Sequence, residues 1–244
     1  MAGKKWHFVP DSQSLDHYGW QDDRLSERKR FLFMAAIGRH LMPLMTGPDC
    51  IRVVEACEEL AEGVIDNETF CEIHAVGQRA AEATEALAIG AAANDFVRLL
   101  ADDYKHNECI YYALDALGYV AATEAGVLKP SATSRQAQAI WQHPVFIAGK
   151  EAAERTFLGY MHDIFGPNPY KPAKSLRGWR TETVKSVAQK AYELRDFSAL
   201  PILADALEDA GCNNTDILNH LRSSGPHVRG CWCLDAVLGK KPRG

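Results

Sequence analysis

A chain of 244 residues, 47% hydrophobic and 24% charged, is long enough to bury a core without disulfides or metals. Its net charge of −5 and pI of about 6.0 leave no surplus of Lys and Arg to displace counterions from phosphates, which argues against a nucleic-acid partner. Mean hydropathy is −0.23, no apolar run approaches the roughly 18 residues that span a bilayer, and the lysines near the N-terminus precede no apolar stretch. A non-membrane, cytoplasmic protein is expected.

Residues 1–21 form the first segment, an irregular N-terminal arm anchored by Trp6, Phe8, Tyr18 and Trp20. A helical region follows over 22–126. Asp22, Asp23 and Ser26 offer N-caps for its first helix, whose apolar residues Leu25, Phe31, Leu32, Ala35, Ala36, Leu41 and Leu44 recur at helical spacing. Pro43 ends or kinks it. A second helix runs from about Asp49 to Val64, with Glu55, Glu58, Glu59 and Glu62 read as a solvated acidic face. A third, capped by Asp66-Asn67-Glu68 and rich in alanine, runs to Asp102 as one long element. His74 stands alone on it. Asp103 and His106 are one loose relative of the paired Glu-x-x-His motif that a di-iron bundle requires, so that chemistry is set aside. Ile110 to Ala125 is the next apolar helix.

Residues 127–143 are turn-rich and make a candidate linker, with a short helix near Arg135–Trp141. The last region, 144–244, opens with a helix from Pro144 to Phe165. The prolines of Gly166-Pro-Asn-Pro-Tyr-Lys-Pro172 stop it and force extended backbone, with Tyr170 as an anchor. Thr181 caps the next helix, Ser198 the one after, Asn213-Asn214-Thr215 opens a short one, and His227 to Leu238 is the last. With no period-two alternation, the chain is expected to be all-α, a multi-helix bundle of about nine or ten helices. The regions 22–126 and 144–244 are compatible with one domain or two.

The seven Cys are an odd number, which argues against a disulfide framework. Cys50, Cys57, Cys71 and Cys109 fall in apolar helical patterns and read as small buried hydrophobes. The C-terminal cysteines differ. Cys212-x7-His220-x6-His227-x3-Cys231 collects the four donors of a structural zinc site within a helix hairpin, though in no standard finger spacing. His227 and Cys231 share a face if both lie on the last helix; Cys233 then points elsewhere. The competing reading is core packing, with both cysteines buried, His227 capping the last helix, and His220 facing solvent or bonded to a backbone carbonyl. A Cys–His nucleophile pair is a third, disfavoured by a Cys231 one turn inside its helix. Arg229 is a candidate for binding a carboxylate or phosphate, or for bridging to Asp205 or Glu208.

The stretch Leu200-Pro-Ile-Leu-Ala-Asp-Ala-Leu-Glu-Asp-Ala-Gly-Cys212, with Pro226-His-Val-Arg-Gly-Cys-Trp232, Ile164-Phe-Gly166, Trp179 and Leu238-Gly-Lys240, resembles a family of uncharacterised bacterial proteins expanded in planctomycetes. The resemblance runs from about Asp163 to Lys240 and is looser before. It implies a bacterial cytoplasmic context and places Cys212, His220, His227 and Cys231 in the signature, but it implies no activity, substrate or cofactor.

No nucleophile elbow, phosphate loop, HExxH or paired-carboxylate spacing is present. The reading is a non-enzymatic helical module that binds a protein partner or a second copy of itself. A zinc-stabilised module of the same type and a metal- or Cys-dependent hydrolase are the alternatives.

Overall fold

The computed structural model describes residues 26–83, 87–101, 106–167 and 176–240. Among them the chain is all-helical, with eleven α-helices and no strand. None of these helices is long and apolar enough to cross a membrane. The expected N-terminal arm, the Asp103 carboxylate and Tyr170 lie outside the described residues.

The helices are α1 (Glu27–Leu41), α2 (Pro48–Glu62), α3 (Asn67–Ala83), α4 (Ala88–Leu99), α5 (His106–Glu124), α6 (Ser134–Ala137), α7 (Pro144–Phe165), α8 (Glu182–Leu194), α9 (Leu200–Asp209), α10 (Thr215–Arg222) and α11 (Trp232–Leu238). The count exceeds nine or ten because the alanine-rich third element divides. Leu87 is extended, and the Ala88 N–H donates to the Ala132 carbonyl at 2.9 Å. A tertiary hydrogen bond there replaces an intrahelical one, which alanine content alone does not reveal.

The chain divides into two compact units; among the described residues, one holds 30–158 and the other 26–29 with 159–240. The division falls inside α7 rather than in 127–143. That segment instead carries α6, held by a reciprocal capping box between Thr133 and Gln136, and it buries Leu128, Ala132 and Ala137.

In the first unit α2, α3, α4 and α5 pack on their sequence neighbours. Phe33, Phe96, Phe157, Leu32, Met34 and Ile37 fill its core. Pro43 ends α1 by opening a 3-10 turn, and the Asp66 carboxylate caps α3 by accepting the Thr69 N–H at 2.9 Å. The acidic face of α2 is not wholly solvated. Glu58 is buried and forms a paired contact with Arg39, whose Nη2 lies 2.8 Å from Glu58 Oε2. His74 is buried too, with Nε2 3.0 Å from the Val97 carbonyl. Of the four cysteines expected inside, Cys50, Cys57 and Cys109 are buried and Cys71 is exposed.

In the second unit α8, α9, α10 and α11 surround a core of Val184, Ala188, Leu200, Leu203, Leu207, Leu221 and Leu234. Thr181 caps α8 by accepting the Val184 N–H, and Asn214 caps α10. Asp196, not Ser198, accepts at the turn before α9. A buried ion pair ties Arg28 to this core: its Nη1 lies 2.7 Å from Asp235 Oδ2, and its Nη2 donates to the Tyr192 hydroxyl at 2.8 Å.

Candidate metal centre

The last helix is shorter than its sequence suggests. Its first residue is Trp232, Cys231 sits at the N-cap position, and residues 226–230 are loop. His227 and Cys231 therefore share no helix face. They come together because the loop folds back.

Gly159 on α7 is what admits that loop. A Cβ at Gly159 would lie 2.6 Å from Pro226 Cγ, closer than carbon atoms approach without one moving. One turn further along α7, on the same face, stands Asp163. Gly166 plays a matching part just past the helix, at φ +72° with the Trp232 ring 2.8 Å from where a Cβ would be. With Pro226 and Trp232 seated against α7, the residues between them are placed beside Asp163.

Asp163, His220, His227 and Cys231 each offer one donor atom, and these atoms all lie within 4.8 Å of one another. Asp163 Oδ1 is 2.8 Å from His227 Nδ1 and 3.0 Å from His220 Nε2. His220 Nε2 is 3.3 Å from Cys231 Sγ. The second carboxylate oxygen, Oδ2, accepts the Val228 N–H at 2.9 Å, which fixes the carboxylate plane. The His220 ring packs edge-on against His227 and tilted against Trp232.

A buried carboxylate dominates the electrostatics of the group. Asp163 is 2% exposed, and burial alone would raise its pKa; hydrogen bonds from His220 and His227 hold it below the ordinary carboxylate value instead. For His227 burial works to lower the pKa, but the Asp163 carboxylate outweighs it and raises it. The Cys231 thiol is pushed well up, first by burial and then by the Asp163 charge. A buried thiol held protonated in this way counts against the Cys–His reading.

Three of the four residues singled out by spacing thus converge, and the fourth does not. Cys212 is buried in the hydrophobic core of its unit, outside the converging group. Asp163 stands in the fourth position. Spacing could not find it, because it lies 64 residues before His227 on another helix. Arg229 stacks its guanidinium over the Tyr192 ring at 5.2 Å; Asp205 and Glu208 are bridged by Arg222 instead.

Ser223, His227 and Asp163 also follow one another as in a serine hydrolase triad, with Ser223 Oγ 3.4 Å from His227 Nε2. The hydroxyl proton, however, is directed at the His220 carbonyl, 2.7 Å away. His227 therefore does not receive it, and the serine is not activated.

No family model matches this chain, and no curated protein or solved structure matches it.

Proposed function

We propose that this chain is a non-enzymatic helical module whose 159–240 unit is stapled by one zinc ion held by Asp163, His220, His227 and Cys231. The observation that carries the reading is the convergence of four zinc-type donor atoms within 4.8 Å, two on buried and two on half-buried residues. Zinc bonds of about 2.0–2.3 Å set neighbouring donors of a tetrahedron roughly 3.3–3.8 Å apart. Three of the six separations, 2.8, 3.0 and 3.3 Å, reach that with outward shifts of about half an ångström, and the wider ones, up to 4.8 Å, with inward shifts. One thiolate and two imidazoles suit zinc better than magnesium or calcium, which favour oxygen alone.

Four protein ligands fill the tetrahedron and leave no position for a substrate or reactive water, which supports a structural role over a hydrolytic one. Zinc would bridge α7, α10 and the loop before α11, and its binding free energy would become folding free energy. A protein partner or a second copy would then be bound by the surface of the module rather than at the metal.

The test is elemental analysis of protein purified without a polyhistidine tag, with melting temperature before and after a chelator. About one zinc per chain and a lowered melting temperature on chelation are expected. Metal-free protein whose melting temperature ignores both zinc and chelator would reject the reading.

A further inference from the structure

Ser223 is the residue that ends α10, with φ −69° and ψ 156°. Its N–H and its hydroxyl both donate to the His220 carbonyl, at 3.1 and 2.7 Å. Its own two oxygens face the neighbouring ring: His227 Nε2 lies 3.3 Å from the Ser223 carbonyl and 3.4 Å from Ser223 Oγ. The carbonyl can only accept. The hydroxyl has committed its one proton to His220 and presents a lone pair. Both atoms at Nε2 are therefore acceptors, and Nε2 must carry the hydrogen.

That assignment constrains the other nitrogen. With Nε2 protonated, Nδ1 of His227, 2.8 Å from Asp163 Oδ1, either carries a second proton donated to the carboxylate or, once that proton is displaced, offers its lone pair to a cation at their shared face. His220 presents the opposite nitrogen, Nε2, to the same carboxylate oxygen at 3.0 Å.

We propose that Ser223 is the positioning residue of this centre: it locks the His227 tautomer so that zinc is bound through Nδ1 of His227 and Nε2 of His220. The inference rests on the zinc reading above and adds to it which ring atoms bind and what selects them. Metal-bound histidines commonly donate their second ring N–H to a carbonyl or carboxylate, and removing such a partner typically costs 10–100-fold in metal affinity. Here one serine serves both sides, since it also ties the helix end carrying His220 to the loop carrying His227.

The experiment is long-range proton–nitrogen NMR of the histidine rings in full-length protein loaded with zinc and then with cadmium-113. A cadmium coupling to His227 Nδ1 and to His220 Nε2, with a protonated Nε2 on His227, is expected. Ser223→Ala should weaken zinc about 10-fold in a competition titration, and Ser223→Thr, which keeps the hydroxyl, should restore it. Cadmium coupling to His227 Nε2 would overturn the inference while leaving the zinc reading intact. So would a Ser223→Ala protein with unchanged affinity and unchanged His227 ring shifts. Wild-type protein that takes up neither metal would overturn both. The wild-type spectrum decides the ring assignment even if Ser223→Ala fails to fold.

Discussion

Asp163 Oδ1 and His227 Nδ1 meet at 2.8 Å across 64 residues of chain, one on a long helix and the other in a loop. That single contact brings the carboxylate into a group that the C-terminal Cys and His residues do not complete alone. Asp163→Asn keeps the shape and removes the charge. It should lower zinc affinity by at least about 100-fold, more than loss of an outer-sphere partner does. Competition with a chromophoric chelator measures this. Unchanged affinity would remove Asp163 from the ligand set.

Cys212 makes the contrasting case. Buried in the hydrophobic core of its unit, it is outside the donor group. Cys212→Ala should retain one zinc per chain. The small cavity should cost about 1 kcal/mol, which for a protein of this size lowers the melting temperature by roughly 2–4 °C. Loss of zinc in this variant would return Cys212 to the site.

Gly159 offers a steric test that touches no ligand. A Cβ there meets Pro226 Cγ at 2.6 Å, so the branched side chain of Gly159→Val must push the loop away from α7. His227 moves with that loop. Zinc content after dialysis should fall several-fold while the helical circular dichroism signal stays near wild type. Full zinc retention would mean that the loop is placed by other contacts.

The buried Arg28–Asp235 pair predicts a large effect on stability. Asp235→Ala takes from the Arg28 guanidinium, nearly sealed from water, the carboxylate that neutralises it, while the Tyr192 hydroxyl remains. Removing one member of a buried pair costs about 3–5 kcal/mol. A loss of that size in unfolding free energy from denaturant titration, with zinc binding retained in the folded fraction, is expected. A shift below 1 kcal/mol, measured about that value, would show that the guanidinium regains water.

Acid should weaken the metal site. Burial, then the Asp163 charge, raises the Cys231 thiol well above its ordinary 9.0, so without metal the sulfur is protonated through neutral pH. Zinc must displace that proton. Each unit of falling pH then favours the proton over the metal, by about tenfold per proton released. Zinc affinity measured from pH 8 to pH 6 should drop with at least this slope. A flat profile would mean that no thiol is deprotonated on binding.

Helix identity was legible where the chain carries its own local signals. Thr181, Asn214 and Pro144 begin helices as their side chains dictate, and Gly239 follows α11 at φ +71°, with Pro43 stopping α1. The errors came where distant groups intervene. The break before Ala88 depends on a carbonyl at residue 132, and the late start of α11 depends on a loop seated against Gly159. Burial of Glu58 likewise depends on Arg39.

The same division holds for the site. Residue type and crowding alone single out Cys212, His220, His227 and Cys231, because few roles other than metal binding or core packing call for such a set in so short a stretch. Spacing along the chain says nothing about which four atoms meet. Asp163 could replace Cys212 only through folding, since the approach of two elements is set by side-chain volume at their contact. A helix with hydrogen alone at position 159 lets Pro226 in, and the carboxylate one turn away becomes the neighbour of both imidazoles. Local composition determined the helices and nominated the chemistry; close packing at one glycine decided which atoms meet.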